Sequence, residues 1–567
     1  MMVLKPFSHV QPFNMIQENP LNFTHSLRKT RVVLLIVLAL FTFFVNLEQL
    51  PSDIMEQRNL VTAREMADEG NWLVPTMNGE LRLQKPPLPT WVAGVIETVS
   101  PDNFALQRAA AGVMGSLWVL FLFLTVRKLS DDDDLPIATA VVFMTCYNLV
   151  LMGRSATWDI YCHSLMMGAI YFLTCGLLEQ RREWLHFTVA GLLLGLSFLS
   201  KGPVSFYALL LPYLLVVGFM FRPRLKGKWL PMVLMVLTML VVGGWWYVYL
   251  LMMHPAEMSQ VIHTESGAWS NHNVRPWYYY WQFFLEMGAW GVLVLAALAY
   301  PYWVKHLKLQ REYIMSFGWS IGVLVLLSLM PEKKPRYLLP MLAPSSMLVA
   351  CLVVHFGRGV RMDRFSKFLF RFNGVVVSLV IPVVVVLIFA YALPRNMLSP
   401  VTAVVVSILL LCIFVWMVKA IYDYRVMRFI GGIASIFVVA EVFLLSTIGS
   451  ALGNPDAHSI SLINQDRRMD GIALYHPADE PLRIEMVYEA HRKILPLNVE
   501  DSATLFRVLP CAIVSQKPID EIMPPALLTR IDTVSIGFFD DNKLPKTNKH
   551  YTDAFLNHVT LLTRKNQ

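Results

Sequence analysis

Charge is what this sequence has least of for its length. Asp, Glu, Lys and Arg make up only 16% of the 567 residues, against 56% hydrophobic, and the mean hydropathy is +0.51. An ordinary soluble domain carries roughly a quarter charged residues, so that class is excluded. Cysteine is scarce too: six residues, with no CxxC and no Cys/His spacing, exclude a zinc module and a disulfide framework. Cys146, Cys162, Cys175, Cys351 and Cys412 lie in or beside apolar runs and read as core thiols, and Cys511 stands alone in the tail. No glycine-rich phosphate loop occurs in that tail, which removes a nucleotide role. No small-residue cleavage site follows the first apolar run, 32–47, so it reads as an uncleaved anchor behind a cytosolic leader, 1–31. The formal charge of +8 needs no nucleic acid, because the excess sits in short basic clusters between apolar runs.

Those runs are what the sequence does have. About thirteen stretches of roughly twenty apolar residues can be drawn: 32–48, 104–126, 136–153, 160–178, 185–200, 203–221, 229–251, 282–304, 313–330, 337–356, 374–393, 400–418 and 429–450. Every second connection is basic: RKTR before the first run, Arg127-Lys128, Arg181-Arg182, RPRLKGK, Lys305 to Arg311, GRGVRMDRFSKFLFR, and Lys419 to Arg428. Placing these loops in the cytosol puts the N-terminus inside and the polar tail outside. The acidic run Asp131–Asp134 then falls in a cytosolic loop and reads as solvated, since four adjacent acids lack the spacing of a metal site. The expected fold is an all-α polytopic membrane protein, 32–450, with an amphipathic first external loop, 48–103. A small α/β domain, 451–567, follows it, with strands expected at GIALYH, CAIVSQ and DTVSIGFF and a helix-compatible stretch at IDEIMPPALLTR.

With this orientation the polar chemistry collects on the outer side, where a transporter would instead string it through the bilayer. Asp53 and Glu56 are three apart and share a face if helical; capping of a helix N-terminus explains them equally. Arg58 and Arg64 follow, close enough to pair with them. Lys85 precedes two prolines at the start of an apolar segment, as a phosphate partner or as a snorkelling interfacial lysine. GRSATWD puts Arg154 and Asp159 at the outer end of a span, where a structural Arg–Asp pair is the alternative to a site. SKGP adds Lys201. The segment HTESGAWSNHNVRPWYYYWQ carries His272 and Arg275 among aromatics that fit an interfacial belt. PEKKPRYLLP places Lys333, Lys334, Arg336 and Tyr337 outside, against the positive-inside trend, and a cation cluster there calls for an anion.

In order and spacing, R-x5-REM-x3-GNWLVP-x-MNGE-x4-KPPLPTW, GRSATWD, LSKGP and PEKKPRYLLP resemble the type C membrane glycosyltransferases. The match is to their aminoarabinose transferase-like branch and its protein O-mannosyltransferase relatives, over about 32–350. The resemblance implies transfer of a monosaccharide, with inversion, from a polyprenyl (undecaprenyl) phosphate to a lipid A, glycan or protein acceptor. It places the site at the outer face of a bacterial inner membrane, with the C-terminal domain in the periplasm. It implies Lys85, Arg275 and Tyr337 near the donor phosphate and a first-loop acid near the acceptor. Around these, Lys333 and Arg58 are expected at the phosphate, and Lys201, Arg154 and His272 at the substrate. Asp53, Glu56 and Asp159 are the candidate catalytic carboxylates. Asp53 is expected to matter most, with Glu56 pairing Arg58 or Arg64. Two departures stand out: the family's adjacent Asp-Glu reads Met55-Glu56 here, and Leu83-Gln84 replace an aromatic and an acid before the KPP lysine. The first leaves the identity of the key acid open, and the second points to a different sugar or acceptor. No compact metal-ligand set is present, although two outer carboxylates leave room for a divalent cation. A monomer in contact with membrane lipids is expected. The competing readings are a lipid-linked glycan polymerase or ligase, and a lipid-linked sugar flippase.

Overall fold

The computed structural model describes residues 26–358, 362–454 and 456–565. Most of the expected leader, 1–31, lies outside the described residues. Among the described residues, nine helices are long and apolar enough to cross a membrane, or ten if the pair Trp277–Glu286 and Gly288–Ala297, bent by 103°, forms one span. The other three expected runs coincide with shorter apolar helices, Thr30–Phe44, Asp134–Met144 and Phe206–Phe221. Two of them are shortened for a visible reason. The run 136–153 breaks at Cys146, where the backbone turns extended before a six-residue helix, Tyr147–Met152. The Thr145 hydroxyl at this break accepts from the Trp290 indole at 2.8 Å. The run 203–221 opens with a π-helical turn, Phe206–Leu210, and Pro212 restarts the α-helix.

Small residues let the spans close on one another. A Cβ on Gly191 would lie 2.4 Å from the Met235 carbonyl oxygen, so Glu183–Lys201 and Trp229–Met253 meet backbone to backbone. The most enclosed span is Pro335–Gly357. At one membrane face the acidic run is not the free loop expected. Asp132 pairs with Arg358 and caps the next helix through Leu135 N–H (3.0 Å), and Asp134 pairs with Arg31 at 2.7 Å. Basic loops need counter-charges, and these acids supply them. Cys412 is exposed on the outside of its span; the other five cysteines are buried.

The first loop and the C-terminal domain pack together on the opposite face. The helix Ile54–Glu69 is followed by a two-strand hairpin, β1 (Thr76–Met77) and β2 (Glu80–Leu81). Its turn puts Asn78 and Gly79 at φ +56° and +79°, the left-handed pair that an Asn-Gly hairpin turn requires. Buried Glu65, the acid of the REM motif, holds this turn by accepting from Asn78 N–H, Gly79 N–H (3.1 Å) and the Thr76 hydroxyl (2.6 Å). The C-terminal domain is a five-strand sheet made from β3 (Ala473–Pro477), β4 (Ile494–Leu497), β5 (Cys511–Ser515), β6 (Ile531–Asp540) and β7 (Leu556–Arg564). Its order is β4-β3-β5-β7-β6, parallel over the first three strands and antiparallel thereafter. The three expected strands are β3, β5 and β6; β4 and β7 were not foreseen. The stretch IDEIMPPALLTR forms two single turns interrupted at Pro524.

The edge strand β4 is covered by the hairpin. Asn78 Nδ2 donates to the Ile494 carbonyl at 2.7 Å, and Ile494 N–H donates back to Asn78 Oδ1 at 2.9 Å. Beside it Asp102 is gripped by Arg64 (2.7 Å) and His491 (2.8 Å). Partial burial raises its carboxyl pKa, but the His491 hydrogen bond and the Arg64 guanidinium outweigh that and hold it at about 2. Asn78→Ala removes both hydrogen bonds and puts a Cβ-bearing residue without local capping in the left-handed region, at an expected cost of about 1–3 kcal/mol. Hydrogen exchange should then speed up at β4 and the hairpin while the spans stay protected. Unchanged exchange at β4 would contradict this docking.

Candidate active site

The site is built on the first-loop helix and its hairpin. Asp53 is the helix N-cap: its Oδ1 accepts from Met55 and Glu56 N–H at 2.6 and 2.9 Å. Glu56 points inward and is 1% exposed. Its oxygens receive Arg108 Nε and Nη2 at 2.9 and 2.8 Å, and Ala156 N–H adds a third bond at 2.8 Å. Arg108, and neither Arg58 nor Arg64, is therefore its partner, which corrects the expected pairing. Arg64 goes to Asp102 instead. Local spacing favoured the nearby arginines, but the helix turns Glu56 to the core, where only an arginine on the next span reaches it.

From β2 the chain folds back through Arg82, which sequence reasoning missed. Its guanidinium donates to the Arg58 carbonyl and the Thr62 hydroxyl (2.7 Å) and lies 4.9 Å from the Trp158 ring. Burial, then repulsion from Arg58, pulls its pKa down to about 9. Two tryptophans hold the loop, one of its own and one of the span Trp229–Met253: Trp91 Nε1 donates to the Trp72 carbonyl (2.6 Å), and Trp246 Nε1 to that of Leu73 (2.9 Å). These contacts fix the backbone on either side of Lys85.

Lys85 lies near the ends of two spans, at Lys201 and Lys334, and beside the helix Pro255–Asn271. Its side chain is 29% exposed, and its Nζ is 3.6 Å from Glu265 Oε1. Burial lowers the Lys85 pKa; Glu265 opposes this, and Lys201, Lys334 and Arg82 add to it. Asp159, in the first turn of Trp158–Leu178, bonds to Lys201 and lies within electrostatic reach of Arg336. Lys201 and Lys334 Nζ sit 5.2 and 5.7 Å from the centre of the Tyr337 ring. Glu332 joins them, 2.5 Å from Lys334, 3.4 Å from the Tyr337 hydroxyl and 3.6 Å from His272. So Lys85, Asp159, Lys201 and Tyr337 come together, with His272 at the rim.

Other expected members are not in this cluster. Arg275 is tied to the rim by its backbone, N–H to the Pro331 carbonyl at 3.3 Å, with an exposed side chain. Lys333 is buried and turned onto the Met330 carbonyl, because the PEKKPR segment pairs with 273–275 and alternates its side chains. Arg154 is buried too, against the Phe41 and Val45 carbonyls and in the field of Glu441; it does not pair with Asp159. Arg58 lies beside Arg82 on the first-loop helix, its Nε buried without a partner. Glu265 and Glu332 were also missed. The signal for Glu265 was present: Met258, Val261 and Glu265 form one stripe on the helix Pro255–Asn271, and the first two pack with Leu83 and Trp246. Among the described residues no three His, Cys, Asp or Glu side chains gather in a metal-binding group. What the cluster offers chemically is a half-buried seat for an anion, with Asp159, Glu265 and Glu332 each held beside a lysine.

Residues 84–247 match the dolichyl-phosphate-mannose-protein mannosyltransferase family model. The chain superimposes on the crystal structure of ArnT from Cupriavidus metallidurans bound to undecaprenyl phosphate, with a TM-score of 0.64 and 17% identity over 94% of this chain and 98% of that one. The chain is similar in sequence to aminoarabinose transferases. An undecaprenyl phosphate-α-4-amino-4-deoxy-L-arabinose arabinosyl transferase of Pseudomonas savastanoi is 25% identical over 323 residues, 54% of this chain and 57% of that protein. Its counterpart in Shewanella sediminis is 26% identical over 352 residues, 57% and 60% of the two chains. The chain thus spans less than two thirds of these curated relatives. The shared fold and the resemblance of the motifs agree with each other.

The two first-loop acids can be separated by stability. Glu56→Gln leaves Arg108 buried without its counter-charge and should cost about 3–5 kcal/mol, whereas Asp53→Asn keeps a capping side chain and should cost less than about 1 kcal/mol. Thermal unfolding of the detergent-solubilised protein reads the difference; equal losses would contradict these assignments.

Proposed function

We propose that this protein is a membrane glycosyltransferase that moves a monosaccharide from undecaprenyl phosphate, or a similar polyprenyl phosphate, to an acceptor at the outer face of a bacterial inner membrane. The observation that carries this is the convergence of Lys85, Lys201, Lys334 and Tyr337 around Asp159, at the membrane face opposite the basic loops. In this reading the bond between the anomeric carbon and the donor phosphate oxygen breaks, and an acceptor oxygen forms the new bond from the other side. Lys85 and its neighbours bear the negative charge that grows on the leaving phosphate. A hydroxyl acceptor gives its proton to a carboxylate; a phosphate acceptor is already nucleophilic and needs only orientation. Asp159 is favoured for this role by its place in the cluster. Glu56 has both oxygens engaged, and Asp53 caps its helix. The acceptor is a lipid A phosphate, a glycan or a protein hydroxyl, and the site and C-terminal domain face the periplasm. Chemistry gathered at one face favours this over a flippase, and the first-loop motifs favour it over a polymerase or ligase.

Lys85→Ala should lose about 2–4 kcal/mol of transition-state stabilisation, roughly thirty- to a thousand-fold in rate, with the protein folded and inserted. Turnover near that of the wild type would remove Lys85 from the donor site. The lowered Lys85 pKa also sets a sign: the ammonium is lost at a lower pH than that of an ordinary lysine. Donor affinity should therefore fall as pH rises, and the fall should set in below the range around pH 10.4 where an ordinary lysine loses its charge. Measured donor affinity flat through that range would contradict the role.

Asp159→Asn should abolish transfer with donor binding retained, and Asp53→Asn should keep measurable activity; the reverse ranking would return the catalytic role to the first loop. Orientation is read separately. A reporter fused after Gln567 that works only when exported should be active, and activity of a cytosol-only reporter there would put the site on the wrong face.

A further inference from the structure

The loop 540–552 of the C-terminal domain takes no part in the site above, yet it is built with care. Its neck is closed by Asn542, which is buried. Asn542 Nδ2 donates to Asp540 Oδ1 (2.8 Å) and the Thr552 carbonyl (3.0 Å), and its Oδ1 accepts from Thr552 N–H (3.1 Å). The Tyr551 hydroxyl takes the other Asp540 oxygen at 2.7 Å. Asp541 turns inward to Ile460 N–H at 3.1 Å. The acids of the neck are thus engaged internally. The tip, KLPKTNKH, holds Lys543, Lys546, Lys549 and His550, all exposed, and has no acid.

Two contacts fix where this tip lies. Lys543 Nζ donates to the Ser52 carbonyl at 2.7 Å, and Asn454 Nδ2 donates to the Asn542 carbonyl at 2.9 Å. Ser52 lies beyond the end of the first apolar helix, Thr30–Phe44, and Asn454 just beyond the last span, Val426–Leu452. Those two chain ends are themselves in contact: a Cβ on Gly449 would lie 1.9 Å from the Gln49 carbonyl oxygen. The loop therefore hangs at the level where two hydrophobic segments leave the membrane. The loop tip at that level, carrying three lysines and no acid, lies within reach of lipid headgroups. Cations so placed attract anionic headgroups.

We propose that the loop tip, Lys543–His550, is a docking surface for anionic phospholipid headgroups, through which the C-terminal domain is held against the membrane. Lys546 and Lys549 carry the attraction, while Lys543 also anchors the loop on Ser52. The proposal does not depend on the glycosyltransferase reading.

The test uses the full-length protein in nanodiscs of phosphatidylcholine, with or without phosphatidylglycerol, and hydrogen exchange over 543–550. Exchange should slow when phosphatidylglycerol is present, and the slowing should vanish at high salt. Lys546→Gln/Lys549→Gln leaves the Ser52 contact in place and should abolish the slowing; at roughly fivefold in apparent affinity for each lysine, the pair is worth about 25-fold. Equal exchange in the two kinds of nanodisc would overturn the proposal, as would slowing that persists in the double variant. Slowing reproduced by inorganic phosphate in phosphatidylcholine nanodiscs would also overturn it, by showing a site for a free ion. The wild-type comparison alone decides the matter if the double variant fails to fold.

Discussion

One buried ion pair sets the geometry on which the site rests. Arg108, 4% exposed near the start of its span, closes on Glu56 and also donates to the carbonyls of Leu47 and Leu50 at 2.6 and 2.8 Å. A single guanidinium thereby joins the exit of the first apolar helix, the first-loop helix and the span Phe104–Leu129. Glu56 extends the tie to Ala156, and Asn59 grips the same residue from its other side, Nδ2 to the Ala156 carbonyl at 2.9 Å. Asp159 stands three residues further on. Taking two charges out of water costs several kcal/mol per ion, and the cost is met only when geometry and additional hydrogen bonds are good. Here every Glu56 oxygen and most of the Arg108 donors are occupied. The pair fixes the register between the loop that bears Lys85 and the span that bears Asp159.

The cluster itself has the opposite character. Lys201 and Lys334 lie close enough to Lys85 to disfavour its charge, and burial of Lys85 acts in the same direction. Glu265, Glu332 and Asp159 compensate, through contacts that leave Lys85 and Glu265 partly open to solvent. An arrangement whose cations are no more than balanced, with the Lys85–Glu265 contact open to solvent, can exchange a carboxylate for an incoming anion. The Glu56 pair, closed on all sides, cannot. This contrast separates a structural charge from a functional one more clearly than the identity of either residue.

Much of this was readable in the sequence because it depends on periodicity and composition. The apolar runs, the basic alternation, the mixed helix and strand character of the tail, and the gathering of Lys85, Asp159, Lys201 and Tyr337 need only segment-level information. What was not readable depends on where a side chain points. Lys333 and Lys334 are neighbours of one charge, yet strand-like pairing sends one to a carbonyl and the other to Tyr337. Arg154 sits five residues from Asp159 but on the far side of the turn at the start of the span, where it meets helix carbonyls. The strands β4 and β7 escaped notice because one is short and holds a proline, and the other reads as a mixed polar tail. Glu65 lies inside the REM motif with no expectation of its own, and it is the support of the Asn-Gly turn.

The account stands or falls on where the polyprenyl phosphate binds. A structure of this protein with undecaprenyl phosphate bound would decide it. The phosphate is predicted within hydrogen-bonding distance of Lys85 Nζ, beside Tyr337, with the Glu265 carboxylate moved off Lys85. A phosphate found elsewhere, with the Lys85–Glu265 contact intact, would contradict it.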